Sequence, residues 1–537
     1  MLTGALATRA LLASWPLPPH PFYRVHLVFL GPFNNQMFLI AVDAYTFKIL
    51  FILPYNGTSH HIYYTPLIEE LAKRNHEVTV VNYLPMENTT NIKQISLRDR
   101  VNVNSRKVIM KQYYQNLPTY LSDVFLLTEN VHAQQEVARF NCEKIFSNNE
   151  ILKLIKHEEK FDVFVLEQFY SDCGLAWANK LGVPIIGITA HILMPWTYTR
   201  LGAPSNPAFV PSRIGKNGLW ARIKTVFLNI YSMFFYRHYI QKTDQTIASR
   251  VLPNTPDLEN IAKNLSLVMI NQYFPLTGSR IYASNVVEIG GMHIKQHGIT
   301  DEMLLQFIES AQHGIVYISF GSVACGLSDY KIEAILKVVS KFKQKFLWKA
   351  DNVVKTILPP NLMIRYWIPQ VDVLCHVNVK AFVTHAGMLS STEAMHCGVP
   401  VISIPIFGDQ FANAQSTREN GLGVTLDYMD LDESTLGIAL DEVLQDKYQT
   451  RAKYLSSIWR DRPVSPLDTA VFWVEYVARH RGALNLRPPT VNLPLYQYLL
   501  LDVWLIIAAI LTLVSYIFIK LLSFCLNMYC GRIKKVN

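Results

Sequence analysis

Apolar residues gather in short runs, and the runs alternate with longer stretches of helical period. The first strong run is FKILFIL, Phe47 to Leu53. A loop with Pro54 and Gly57 follows. HHIYYTPLIEELAKRNH then reads as a helix, started or kinked near Pro66, and EVTVV, Glu77 to Val81, as the next strand. Strands that are apolar throughout and joined by a helical crossover predict a parallel sheet covered on both faces. KFDVFVLEQ (Lys160 to Gln168), the helix-like SDCGLAWANKLG and the strand VPIIGIT repeat the unit. The stretch from about 195 to 270 is aromatic and irregular, as expected of helices and loops that shape an apolar cleft. A second alternating series starts near NVVEIGG, Asn285 to Gly291. It continues through IVYISFG (Ile315 to Gly321), KFLWKA (Lys345 to Ala350), KAFVTH (Lys380 to His385) and VPVISIPI (Val399 to Ile406). The pattern predicts two doubly wound α/β halves joined near 275–290. A cleft lies between them at the carboxyl ends of the strands, where such folds bind ligands.

One run differs from the rest. Val503 to Ile519 carries no charge and is followed by Lys520 and a basic tail with Arg532, Lys534 and Lys535. Its 17 residues reach about 26 Å as a helix, which suits a thin bilayer, and the stem of Lys520 can snorkel. The basic tail marks the cytoplasmic side, so the bulk of the chain is expected in the lumen. The ending Lys534-Lys535-Val536-Asn537 resembles a dilysine retrieval signal of endoplasmic-reticulum membrane proteins. A leader is expected within residues 1–45, although Pro16, Pro18, Pro19, Pro21 and Pro32 interrupt any signal-like apolar run. Three sequons, at Asn56, Asn88 and Asn264, permit lumenal glycosylation.

Composition fits this picture. The chain has 537 residues, half of them apolar, with a mean hydropathy of +0.15. These values exclude a disordered or collagen-like chain. The net charge is +9. Arg9 and Arg24 in the leader, together with Lys520 and the basic tail less Asp502, account for five of these nine charges. The body is therefore too weakly basic to suggest a nucleic-acid partner. The seven cysteines are scattered and show no CxxC, which suggests neither a zinc site nor a disulfide-dense scaffold.

Candidate chemistry is densest from Trp367 to Gln410, WIPQVDVLCHVNVKAFVTHAGMLSSTEAMHCGVPVISIPIFGDQ. Strand KAFVTH ends at His385. Ala386-Gly387 turns, and MLSSTEAMHC forms a helix closed by Gly398. The N-terminus of that helix presents free N–H groups and a positive dipole end, which suits phosphate. Ser390 and Ser391 add hydroxyls in its first turn, and Glu393 further along suits a sugar diol. Trp367 offers a flat face for a base and Gln370 an amide for its edge. Asp409-Gln410 follows the next strand, an acid and an amide suited to sugar hydroxyls.

In order and spacing, WxPQ, FxTHxG, E, GVP and DQ resemble the signature of UDP-dependent glycosyltransferases, the glucuronosyl/glucosyl family, in the style of its invertebrate microsomal members. The resemblance runs over about residues 45–530 and includes SFGS (Ser319 to Ser322) and LDTAVFWVEYVARHRG (Leu467 to Gly482). It implies a GT-B fold, two Rossmann-like doubly wound domains facing across a cleft, plus one C-terminal transmembrane helix. The expected division is a leader at 1–45, an acceptor-binding domain at 46–280, a UDP-sugar-binding domain at 281–485, a linker at 486–499, the span at 500–522 and a tail at 523–537. The resemblance also implies roles. Trp367 stacks on uracil and Gln370 contacts the nucleoside. His385, Gly387, Ser390 and Ser391 hold the diphosphate with help from Ser322. Glu393 binds ribose hydroxyls, and Asp409 and Gln410 bind the transferred sugar. UDP-sugar is a co-substrate, and no other cofactor and no metal is implied.

The family's base is a histidine in an SH pair, sixteen residues before the H of an HEV strand start. Ser59-His60 and His76-Glu77-Val78 match that spacing, which selects His60 over His61. A histidine suits removal of a hydroxyl proton, and a carboxylate orients it. Glu167 and Asp172 are both candidates for that carboxylate, with Glu167 favoured by its strand position. Departures from the family pattern are Ala386 within HxG and Leu389-Ser390 where some relatives have Asn-Gly. Asp430-Leu431-Asp432 matches a metal-binding DxD in form, but it precedes ESTLGIALDEVL and reads as a helix cap.

The expected activity is inverting transfer of a hexose, glucose by resemblance, from UDP-sugar to a hydroxyl of a small lipophilic acceptor. It would serve detoxification or hormone or pigment conjugation. Use of UDP-glucuronate, or a non-catalytic UDP-sugar-binding membrane protein, are the alternatives. A homo-oligomer is left open.

Overall fold

The structure is a computed structural model and describes residues 25–33, 36–43, 46–86, 90–98, 135–157, 159–203, 218–321, 327–350, 358–406 and 408–536. Strands β1 (Val25–Phe33) and β2 (Gln36–Asp43) form an antiparallel pair of their own, where a leader is expected. The first half then begins with β3 (Lys48–Ile52), α1 (Thr58–Lys73), β4 (Glu77–Asn82) and β5 (Ile92–Ser96). β6 (Val163–Glu167), α2 (Cys173–Leu181), β7 (Ile185–Thr189), α3 (Pro195–Arg200) and α4 (Leu219–Phe235) follow. β8 (Leu267–Ile270) and β9 (Val286–Glu288) complete its sheet. The order is β5-β4-β3-β6-β7-β8-β9, with every pairing parallel.

The second half carries β10 (Ile315–Ser319), β11 (Lys345–Lys349), β12 (Leu362–Arg365), β13 (Val379–Thr384) and α5 (Met388–Cys397). β14 (Val401–Ser403), α6 (Gln410–Glu419), β15 (Gly423–Thr425) and α7 (Glu433–Val443) close it. Its parallel order is β12-β11-β10-β13-β14-β15. All five residues of β6, β7 and β10 are buried, as continuous apolar runs require of central strands.

Each sheet reverses its direction of winding once, between β3 and β6 and between β10 and β13. At these points the two following loops depart to opposite faces and leave a crevice at the carboxyl ends. The residues there are Leu53 to Gly57 and Glu167 in the first half, and Phe320–Gly321 and His385 to Gly387 in the second. Both crevices open on one shared cavity.

Two elements cross the expected division at residue 280. β9 pairs with β8, so it extends the first sheet. The helix α8 (Pro466–Arg479) buries Val471, Val474 and Val477 in the same core as Ile49, Phe51, Leu67 and Val165. The chain thus returns to its first half after finishing the second. Tyr498 Oη then donates to the Ala203 carbonyl at 2.9 Å and Thr490 Oγ1 to that of Gly202 at 3.0 Å. Those bonds tie the linker down before α9 (Leu501–Val536). Leu501–Met528 of α9 is 28 residues long, with hydropathy 2.5 and none of it buried, long and apolar enough to cross a membrane.

Among the described residues four cysteines pair, Cys142 with Cys173 and Cys375 with Cys397, one disulfide in each half. Scattered cysteines carried no pairing signal in the sequence, because each bridge joins elements that only the tertiary fold brings together. Asp432 caps α7 by accepting from the Thr435 N–H at 2.8 Å, and the Thr435 hydroxyl stands 3.0 Å from the Asp432 N–H in return. The Asp430-Leu431-Asp432 triplet is therefore a capping device in this fold.

Val474 is fully buried, so V474A removes two methyl groups from the first core through a helix that is remote in sequence. A loss of about 2 kcal/mol is expected, read as a lower denaturation midpoint that spares UDP-sugar binding in the folded fraction.

Candidate active site

The first crevice holds a buried carboxylate. Glu167, at the last position of β6, is 1% exposed. Its Oε1 lies 2.5 Å from His60 Nδ1 and accepts from Tyr64 Oη at 3.1 Å, and its Oε2 accepts from the Tyr55 N–H at 3.2 Å. Three donors offset the cost of desolvating the charge. His60 stands in the first turn of α1, with its side chain 13% exposed and reaching the cavity. The rings of Tyr55 and Phe169 pack on it at 4.5 and 4.9 Å between centroids. Burial, then Glu167 and Asp409, push the Tyr55 phenol up to about 12. The field of the second half's Asp409 therefore reaches the first half's crevice.

His191, two residues past β7, lies 5.9 Å from His60 between ring centroids. Burial first, and His60 second, push its pKa down to about 4. It is neutral at ordinary pH. Its Nδ1 lies 2.7 Å from the Ile192 carbonyl, which fixes the proton there and leaves Nε2 as an acceptor.

The second crevice is built around α5. Gly387 is its N-cap and offers no side chain, so the first-turn N–H groups are open toward the cavity. The His385 ring fills the space beside two glycines. A Cβ at Gly387 would stand 2.5 Å from His385 Nε2, and one at Gly321 2.7 Å from its Cε1. Burial and Lys349 push His385 down to about 4, with a backbone bond to Ser319 working the other way. Ala386 adopts φ 59°, the left-handed region that disfavours a Cβ. Its carbonyl accepts from Asn413 Nδ2 at 3.0 Å, and the same amide donates to Asp409 Oδ2 at 3.0 Å.

Glu393 is buried between two partners. His293 Nε2 stands 3.0 Å from Oε1, and Gln370 Nε2 donates to Oε2 at 2.6 Å. Gln370 Nε2 also reaches Ser390 Oγ at 3.1 Å, while its Oε1 accepts from Tyr317 Oη at 3.0 Å. Trp367 is 54% exposed with Lys349 Nζ 4.4 Å from its ring centre. Gln410 Oε1 accepts from the Ile406 N–H at 2.8 Å and so braces the turn that presents Asp409. A cavity of about 400 Å³ joins all this, with His60, Phe169, Tyr170 and His191 on one wall and Trp367, Gln370, Gly387, Ser390, Glu393 and Asp409 on the other.

The arrangement has a histidine–carboxylate pair facing an open helix N-terminus and an exposed indole. The profile of the UDP-glucuronosyl and UDP-glucosyl transferase family matches residues 48–536. The chain belongs to that family. It is similar to UDP-glucosyltransferase 2 of Dactylopius coccus, 34% identical over 85% of this chain and 88% of that one. UDP-glucuronosyltransferase 2B15 of Rattus norvegicus is 31% identical over 83% of this chain and 87% of that one. Among solved structures, the glycosyltransferase of kitacinnamycin covers 80% of this chain and 98% of its own, at TM-score 0.55 and 18% identity. A UDP-glucosyltransferase from Polygonum tinctorium covers 82% and 100%, at 0.53 and 15%. These likenesses fix the fold as GT-B. The protein is a UDP-glycosyltransferase, an enzyme that moves a sugar from UDP-sugar.

Most of the expected site residues of the transferase meet at this cavity. Ser391 is buried behind the lining and its hydroxyl has no partner among the described residues. Ser322 lies outside the described residues. Asp172 does not reach His60. Its carboxylate accepts from Arg200 Nη1 at 3.1 Å and Nη2 at 2.6 Å and from Gln241 Nε2 at 2.8 Å. It is also no side-chain cap for α2. Of the two acids it is Glu167, at the last position of β6, that meets His60, whereas Asp172 lies beyond the strand in a bidentate ion pair. Tyr55, Tyr64, His191, His293, Tyr317 and Asn413 escaped sequence reasoning. His191 and Tyr55 had a usable signal, their place just beyond a strand end.

Two outcomes follow from these buried charges. R200A strands the carboxylate of Asp172 and is expected to cost about 3–5 kcal/mol, seen as a lower midpoint of unfolding. For His191 the unfolded chain takes up its proton near pH 6.5 but the folded chain only near 4. Stability is thus complete above about pH 6.5 and is lost as pH falls toward 4. The transferase's melting temperature should drop over that window, and H191Q should flatten part of the drop.

Proposed function

We propose that the transferase moves an uncharged hexose, glucose first, from UDP-sugar to a hydroxyl of a small lipophilic acceptor with inversion at the anomeric carbon. The observation that carries this reading is the His60–Glu167 pair set across the cavity from the open end of α5. Because Nδ1 donates to Glu167, Nε2 is the nitrogen left to take the acceptor proton. The acceptor oxygen then attacks C1, the bond to the diphosphate breaks, and UDP leaves with the electron pair. The imidazolium formed at His60 is held by Glu167.

The geometry supports the following donor roles. Trp367 stacks on the base. The backbone of the Ala386–Gly387 turn and the first turn of α5 receives the diphosphate, with His385 as a neutral wall. Gln370 and Glu393 hold each other for the nucleoside, and Asp409 with Gln410 receives the sugar hydroxyls. Ser390 belongs with the diphosphate, and Ser322 and Ser391 keep the role that the resemblance implies. UDP-sugar is a co-substrate, and helix dipole and N–H donors serve where a metal would otherwise stabilise the leaving group.

Glucose is favoured over glucuronate by charge. Asp409 meets the sugar, while Lys349, a cation of the cavity lining, stands over Trp367 and beside His385 on the nucleotide side. A sugar carboxylate would face an acid. The aromatic wall of Tyr55, Phe169 and Tyr170 suits a lipophilic acceptor, in keeping with detoxification or conjugation of hormones or pigments. A disulfide in each half fits an oxidising lumen. With α9 as a single type I span, this supports residence in the endoplasmic-reticulum membrane with both halves lumenal.

The test is transfer to a panel of phenols and steroids from labelled UDP-glucose, with UDP-glucuronate as competitor. H60A is expected to lower kcat by about 10²–10⁴-fold with UDP binding retained, and E167Q to fall in the same direction. Unchanged transfer by H60A would sink the mechanism, and preference for the competitor would sink the choice of donor.

A further inference from the structure

Helix α4 is apolar on the wrong side. Leu219, Ile223, Phe227, Ile230 and Phe234 recur at helical spacing, yet they are exposed by 62, 47, 59, 61 and 55%. Trp220 beside them is exposed by 80%. The opposite face is already satisfied, with Phe235 buried and Tyr231 packed in a cluster with Trp196 and Tyr236. A surface helix normally turns its apolar stripe inward, and an exposed apolar stripe of this size marks contact with another apolar phase.

Charge and position say which phase. From Gly218 to Thr243 there is no acid, whereas Arg222, Lys224 and Lys242 are cations; a fourth, Arg237, is paired with Asp257 and Glu259. Apolar side chains led by a tryptophan and edged by Lys and Arg suit an interface with anionic headgroups. The neighbouring helix α3 packs on α4 through Trp196. The turn that ends α3, at Gly202 and Ala203, receives the hydrogen bonds from Thr490 and Tyr498 that fix the start of α9. The stripe therefore lies one helix away from the point where the chain enters the bilayer.

We propose that α4 lies in the bilayer surface, as a second membrane contact beside the α9 anchor. Tyr170, which packs in the same aromatic cluster, also lines the active-site cavity. The lipid-facing helix is then separated from the acceptor wall by a single layer of aromatic side chains, and a lipophilic acceptor dissolved in the membrane is concentrated next to its site. This rests on α9 as the anchor, so the test reads the two contacts separately.

The full chain, with a specific protease site inserted between Leu499 and Leu500, is reconstituted into phosphatidylcholine–phosphatidylserine vesicles. Sedimentation of the uncleaved chain with the vesicles checks α9. After cleavage, the portion up to Leu499 should remain largely with the vesicles. The I223E/F227E/I230E variant should release at least five-fold more of it, while its glucosylation of a water-soluble phenol stays unchanged. Release of the cleaved wild type to the same extent as the variant overturns the proposal. So does retention that persists only while uncleaved chains remain, which would identify a second copy of the protein as the occupant.

Discussion

A carboxylate buried at the end of a central strand governs the first half of this enzyme. Glu167 is removed from water, and a charge there is tolerable only with donors on both oxygens. The donors come from three places: the loop after β3, through the Tyr55 N–H, and two positions of α1, Tyr64 and His60. Satisfying one carboxylate therefore fixes the loop, the start of α1 and the rotamer of His60. The site's orientation is a by-product of a requirement that the fold must meet in any case. It also explains why Tyr64 can be fully buried with a hydroxyl, since its proton has a partner.

A similar logic joins the halves. Glu393 belongs to the second sheet's helix, but one of its two partners, His293, lies just past β9, where the chain leaves the first sheet. Tyr63 of α1 packs against that histidine at 5.6 Å between ring centroids and donates to the Ile289 carbonyl at 3.0 Å. The crossing segment is thus held by one half on each side. Together with the return of α8 to the first core, this gives the cleft two covalent crossings and a polar bridge between them.

Much of this was legible in the sequence. The strands at Phe47–Leu53, Lys160–Gln168 and Ile315–Gly321 announce themselves because central parallel strands must be apolar on both faces, and the motif from Trp367 to Gln410 carries its own spacing. What escaped was anything that depends on a distant partner. β9 has three residues, too few to show which sheet would pair with it. The apolar stripe of α8 says that it is buried, not against what. Asp172 and Glu167 stand five residues apart, and only the position of Arg200 tells the paired acid from the one in the crevice. His293 and Asn413 act through groups that sequence proximity cannot supply.

The turn between β13 and α5 shows how backbone groups come to face the cavity. His385, the ring nearest the turn, is driven toward its neutral form by burial and by Lys349, so it adds bulk and not charge. The N–H groups of the first turn of α5 face the cavity only because the chain turns abruptly from β13 into α5. Gly387 and Gly321 allow this by yielding the space that the His385 ring occupies. Ala386 completes the turn in the left-handed region, at a cost of roughly 1–2 kcal/mol for a residue with a Cβ, and Asn413 secures its carbonyl. The same Asn413 amide holds Asp409. One side chain therefore secures both the strained turn and Asp409, which ties the start of α5 to the start of α6.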